Sequence, residues 1–118
     1  MFKRLIALIF ATMLLSCAPA YAEQWKITAY DACVKCCGKT DGITASGKIA
    51  SAHRTVACNW LPFGTRVKID GKTYVVEDRG AKSLFGSKKN PIKHIDIFMR
   101  SHREAQLFGV KYLNVEVL

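Results

Sequence analysis

The chain has 118 residues, 18 Lys and Arg against 9 Asp and Glu, a formal net charge of +9 and five cysteines. That length holds one hydrophobic core and excludes a two-domain enzyme. The basic excess favours polyanionic partners, but no RNP-like aromatic motif or zinc-finger spacing points to nucleic acid, which leaves cell-wall polymers, lipid headgroups or a merely solvated basic surface.

Lys3 and Arg4 precede an apolar run from Leu5 to Leu15, and Ala20-Tyr21-Ala22 offers the small-x-small site of a signal peptidase. Residues 1–22 are therefore expected to be a cleavable signal peptide, and residues 23–118 one exported domain in the periplasm, the extracellular space or the cell wall. The apolar run is about half of the ~20 residues that a bilayer span needs, so no membrane span is expected. Leu14-Leu15-Ser16-Cys17 also resembles a lipobox, and acylation of Cys17 would make the same domain a tethered lipoprotein.

Cys33, Cys36, Cys37 and Cys58 follow the leader. In an oxidising compartment an even number suggests disulfides. Adjacent cysteines rarely meet disulfide geometry. Two pairings remain: Cys33–Cys36 with Cys37–Cys58, or Cys33–Cys37 with Cys36–Cys58. Either one ties the loop after the first strand to the segment near Cys58. A four-thiolate zinc site is the rival, disfavoured by neighbouring ligands at 36 and 37. A redox-active Cys33-x-x-Cys36 pair lacks a thioredoxin-like βαβ context.

The elements read as a β-rich domain. Trp25 to Tyr30 is a first strand, followed by a long loop from Asp31 to about His53. Thr55 to Cys58 is a short strand. Arg66-Val67-Lys68-Ile69 and Lys72 to Glu77 form a hairpin around Asp70-Gly71, a type I′ turn sequence. Arg79 to Pro91, with Gly80, Gly86 and three lysines, reads as an exposed loop. In the next strand Ile95, Ile97 and Met99 share one face, which puts Asp96 and Phe98 on the other. Ser101-His102-Arg103-Glu104 has the form of a capping box that starts a helix to about Phe108. Gly109 stops that helix, and Lys111 to Val117 alternates as a last strand.

Gly42-Ile43-Thr44-Ala45-Ser46-Gly47, Thr55-Val56-Ala57, Pro62-Phe63-Gly64-Thr65, Val76-Glu77-Asp78-Arg79-Gly80, and Ile95-Asp96-Ile97 through Ser101-His102 to Phe108-Gly109 stand in order along the chain. Together these segments resemble the signatures of the 3D domain, a family named for three aspartates, over residues 27–118. The resemblance implies a mainly β fold: a small double-psi β-barrel of about six strands, with one short helix before the last strand. It is related to the catalytic domain of MltA-type lytic transglycosylases. It also implies cleavage of the β-1,4 bond between N-acetylmuramic acid and N-acetylglucosamine in peptidoglycan, with a 1,6-anhydro product. Because the muramic acid's own 6-hydroxyl is the nucleophile, one carboxylic acid suffices where ordinary hydrolysis uses two. That acid must stay protonated near neutral pH.

Asp78 and Asp96 match the second and third family aspartates and are expected to be the catalytic pair. Asp96 is the favoured proton donor because its neighbours are apolar. The first aspartate is replaced by Asn59, which keeps hydrogen-bonding capacity but cannot titrate. Thr44, Ser46 and Gly47 are expected to support the site or bind substrate, their hydroxyls facing the sugar or an aspartate, or else to cap their own turn. Asn59, and Arg79 and Gly80 of an Arg79-Gly80-Ala81 segment that the family usually reads as Thr-Gly-Gly, are likewise expected to support the site or bind substrate. Trp60 is either a sugar-stacking aromatic or a core or barrel-rim one. His53, His94 and His102 show no metal-ligand spacing, so neither metal nor cofactor is expected. The domain is expected to be a monomer. A non-catalytic, expansin-like wall-binding barrel is the main alternative, and a small disulfide-bonded inhibitor a third.

Overall fold

The computed structural model describes residues 23–33 and 41–118. The expected signal peptide with Cys17, and Cys36 and Cys37, lie outside the described residues. Among the described residues the chain forms six strands and two helices: β1 (Gln24–Tyr30), β2 (Thr55–Ala57), β3 (Arg66–Ile69), β4 (Lys72–Asp78), α1 (Lys82–Phe85), β5 (His94–Phe98), α2 (His102–Phe108) and β6 (Lys111–Val117). The strands close into a barrel in the order β1-β5-β2-β4-β3-β6. The fold is the mainly β, six-stranded barrel expected, with a short helix before the last strand.

β1 pairs with β5, and β2 with β4, in parallel; the other four contacts are antiparallel. Parallel neighbours cannot be joined by a tight turn and need long crossovers. β2 reaches its parallel neighbour β4 through β3, and β1 reaches β5 through β2, β3 and β4. Two connections on this path cross a strand: β1 to β2 skips β5, and β4 to β5 skips β2, and residues 42–45 of the first and Arg79, Gly80 and Phe85 of the second line the same cavity. Alternation then fills the interior. Ile27, Val56, Val67, Ile69, Val76 and Ile95 are all essentially inaccessible, while Thr28, Ala57 and Asp96 take the opposite face of their strands.

The β3–β4 hairpin turns at Asp70 (φ 50°) and Gly71 (φ 76°), the two left-handed residues that a type I′ turn requires. At α2 the Ser101 hydroxyl accepts the Glu104 N–H at 3.2 Å, and Gly109 ends the helix with φ 67°. Arg79 to Pro91 is not the plain exposed loop expected. It holds the one-turn helix α1 and a β-bridge between Gly86 and Pro91. Its anchor is Phe85, buried and stacked on His94 at 4.0 Å between ring centroids. The ring lies over Gly80, where a Cβ would stand 2.2 Å from it.

Cys58 is fully buried and carries a free thiol. It follows Val56 on the inward side of the chain and joins the hydrophobic core. The bridge to Cys58 common to both expected pairings is therefore absent here, and among the described residues there is no disulfide. Among those residues no helix is long and apolar enough to cross a membrane.

Candidate functional site

One row of residues runs across four neighbouring strands: Thr28 on β1 opposes Asp96 on β5, Asp96 opposes Ala57 on β2, and Ala57 opposes Asp78 on β4. Residues directly opposed in a sheet share a face. Asp78 reaches this row through an irregularity. Val56 pairs with Val76, but Ala57 pairs with Asp78, so the register skips Glu77. Such a bulge re-aims side chains: without it Glu77 would oppose Ala57. Both aspartates and Ala57 line one cleft of about 650 Å³, walled by the 42–45 loop on one side and by Leu84 and Phe85 on the other. That volume falls within the usual ligand-site range. The small side chain of Ala57 leaves the space between the carboxylates open.

Asp78 accepts on both oxygens. Tyr30 Oη–H donates to Oδ2 at 2.8 Å, and the backbone N–H groups of Ala45 and Arg79 donate to Oδ1 at 2.9 Å each. The loop that supplies Ala45 is held by its own bonds. Thr44 Oγ1 donates to the Lys48 carbonyl at 2.7 Å, Gly47 N–H to the Thr44 carbonyl at 2.9 Å, and Ser46 N–H to the Glu77 carbonyl at 3.1 Å. Thr44 lines the cleft, while Ser46 and Gly47 form the turn behind it. The hydroxyls of Thr44 and Ser46 lie 2.9 Å apart, so the segment touches Asp78 through a backbone amide and not through a hydroxyl.

Glu77, displaced from the row, fixes the outer side of this loop. It accepts from Arg54 Nε and Thr55 Oγ1, each at 2.8 Å, with Lys48 Nζ at 3.8 Å. Burial pushes its pKa up, but these hydrogen bonds and the two cations outweigh burial and hold it below the ordinary glutamate value.

Asp96 lies in a different setting. Its carboxyl is pushed up to about 6: burial is the largest cause, the Thr28 hydroxyl at 2.9 Å from Oδ1 acts the other way, and the Asp78 charge adds to the rise. Thr28 Oγ1 also lies 2.7 Å from His94 Nε2, and His94 Nδ1 lies 3.0 Å from the Leu84 carbonyl oxygen. A carbonyl only accepts, so Nδ1 carries a proton. Burial, with a contribution from the Lys26 charge, lowers the His94 pKa despite the Leu84 bond, and in the neutral ring Nε2 is then an acceptor.

Thr28 has one hydrogen for two neighbours. Given to His94, it leaves the hydroxyl oxygen to accept from Asp96, which requires a protonated carboxyl. Every contact is satisfied when His94 is neutral and Asp96 carries a proton, and equally when His94 Nε2–H donates to Thr28 and Thr28 to an Asp96 carboxylate; the lowered His94 pKa and the raised Asp96 pKa favour the neutral pair. With His94 neutral, an ionised Asp96 would draw the Thr28 hydrogen to itself and leave His94 Nε2 against an oxygen lone pair.

Asn59 does not line the cleft. Its Nδ2 donates to the carbonyls of Gly80 and Gly86 at 2.9 Å each, and its Oδ1 accepts from Gly80 N–H at 2.7 Å. An ionised aspartate would lack both donors, so the amide clamps the β4–α1 connection and its neutrality takes no charge from the aspartate pair. Arg79 turns its guanidinium onto the Cys58 carbonyl at 2.6 Å and over the Phe63 ring at 3.9 Å, and contributes to Asp78 through its backbone. Gly80 admits Phe85, which walls the cleft. Trp60 stacks on Trp25 at 5.3 Å and donates Nε1–H to the Ile92 carbonyl at 3.1 Å, the rim arrangement of the two expected.

Asp78 and Asp96 line this cleft, and Tyr30, Thr28 and His94, which complete its hydrogen-bond network, are not among the residues expected from the sequence. Their alternation on β1 and β5 was visible, but the pairing of those strands, 66 positions apart at Thr28 and His94, was not. No protein-family model matches the chain, and no curated protein matches its sequence, so the case for a function rests on this cleft and its two unlike carboxyls.

Proposed function

We propose that the protein is an exported peptidoglycan lytic transglycosylase, a 3D-type double-psi β-barrel similar to the MltA-type catalytic domain, with Asp96 as the acid and base. The observation that carries this reading is the Asp78–Asp96 pair. Two aspartates lie in one row across the floor of one cleft, one fully engaged by donors and the other held near a pKa of about 6. A buried carboxyl whose pKa is raised, with a second carboxyl beside it in one cleft, is the arrangement that marks an acid and its partner. The two crossovers, the parallel pairs and the motif order support the family reading, and the N-terminal leader and basic surface support a wall polymer as substrate.

In this mechanism the Asp96 proton passes to the glycosidic oxygen as the bond to the anomeric carbon breaks. The oxocarbenium-like charge that develops there is stabilised by the Asp78 carboxylate, which its three donors hold in place. The Asp96 carboxylate then takes the proton of the muramoyl 6-hydroxyl as that oxygen bonds to the anomeric carbon. The 1,6-anhydro ring closes, and Asp96 is left protonated for the next turnover. No water and no enzymic nucleophile enter. Thr28 follows the proton: its hydrogen turns to Asp96 Oδ1 when the carboxylate forms and back to His94 when the proton returns.

The test is incubation of the purified protein with peptidoglycan and mass spectrometry of the soluble products. Anhydro-muropeptides that vanish in both Asp78→Ala and Asp96→Ala, with release falling as pH rises above about 6, are the expected result. Pelleting with the wall without product release would overturn catalysis and favour the wall-binding barrel.

A further inference from the structure

A second cluster lies at the end of β1, outside the row that holds the two aspartates. Asp31 follows Tyr30, Cys33 stands two residues on, and His102 opens α2. Asp31 Oδ1, Cys33 Sγ and His102 Nδ1 all lie within 4.8 Å of one another. Asp31 is buried, and Cys33 and His102 are half-buried. We propose that Asp31, Cys33 and His102 bind a divalent zinc ion.

Ligand type and edge length both fit zinc. Thiolate, imidazole and carboxylate are the three side chains that zinc takes, and the mixture suits its borderline softness better than it suits calcium or magnesium. Tetrahedral zinc bonds of ~2.0–2.1 Å to nitrogen and oxygen and ~2.3 Å to sulfur set edges of about 3.4 Å for N to O and about 3.6 Å for S to either. The structure has 3.3 Å between His102 Nδ1 and Asp31 Oδ1, 3.5 Å between Cys33 Sγ and His102 Nδ1, and 3.0 Å between Cys33 Sγ and Asp31 Oδ1. Two edges of a coordination face are therefore already formed. The third lengthens by about half an ångström when the thiol proton leaves and the metal takes its place.

The ion would tie the end of β1 to the start of α2. Tyr30, which donates to Asp78, is the residue just before the first ligand, and Ala32, between two ligands, lines the cleft. Zinc here would hold one wall of the cleft without touching its aspartates. The inference does not depend on glycan cleavage.

The experiment is a titration of the reduced, chelator-treated full chain with Co2+ and then Zn2+. One equivalent of Co2+ should give a near-ultraviolet thiolate-to-cobalt charge-transfer band with the intense visible bands of a tetrahedral ion, and Zn2+ should displace it. Cys33→Ser should abolish the charge-transfer band. Asp31→Asn and His102→Gln should each weaken Zn2+ binding by roughly tenfold or more, at least the loss that follows from disturbing a ligand's support. His102 is partly exposed at the helix start, so His102→Gln tests the proposal even where Cys33→Ser fails to fold, with circular dichroism as the check. Absence of stoichiometric binding, a band that survives Cys33→Ser, or a Zn2+ affinity unchanged by His102→Gln would each overturn it.

Discussion

Asp96→Asn separates an acid held neutral by the fold from an ordinary carboxylate. The Asp96 pKa rises from 3.8 to about 6 in the native protein, mainly through burial. Below about 4 the folded and unfolded chains both hold the proton, and the group costs nothing. As pH rises through the interval from about 4 to about 6, the unfolded chain releases a proton that the native state keeps, so stability falls. A shift of roughly two units at 1.36 kcal/mol each amounts to about 3 kcal/mol, lost in full above pH ~6. Asparagine ionises in neither state. Its Nδ2–H can donate to Thr28 Oγ1 as the protonated acid does, leaving the Thr28 hydrogen on His94.

Asp96→Asn should therefore release no anhydro-muropeptides and yet be more stable than the parent by about 2–3 kcal/mol at pH 7.5, which for a domain of this size raises Tm on the order of 10 °C. The advantage should disappear near pH 4. Thermal and denaturant unfolding at the two pH values measure it directly. A variant no more stable than the parent at pH 7.5, or one whose advantage is the same at both pH values, would refute the reading of Asp96 as a destabilising acid.

Asp78→Asn removes the charge that helps to raise Asp96, so the Asp96 carboxyl should titrate below its parent value of about 6 in an NMR titration, with product release lost. An unchanged titration would show that the two groups are not coupled. Ala57→Leu places a branched side chain between the two carboxyls; it should abolish product release and leave the circular dichroism spectrum intact, and an active variant would mean that the strand does not bind there. Asn59→Asp removes both donors to the Gly80 and Gly86 carbonyls and should cost about 2–3 kcal/mol in denaturant unfolding. Unchanged stability would rule out the clamp.

The strands, the hairpin turn and the capped helix are legible along the chain, because each depends on alternation or on a few adjacent residues: Asp70-Gly71 for the turn, Ser101 with Glu104 for the cap, Ile95 and Ile97 for the inward face that leaves Asp96 outward. The sequence also marked Asp78 and Asp96 through the segments around them. It did not reveal α1, because a single apolar anchor, Phe85, decides that turn, and its partners Gly80 and His94 are contacts of the folded chain.

How those residues meet is set by strand pairing in the folded barrel. The one-residue slip that turns Glu77 out and brings Asp78 beside Ala57 has no local signature, because it depends on which strand β4 pairs with and where. The same holds for the Thr28 hydroxyl between Asp96 and His94, for Asn59 as a clamp instead of a member of the cleft, and for Cys58 as a core thiol. Side-chain type limits what chemistry a residue can do. The closure of the barrel sets its burial, its partners and hence its proton.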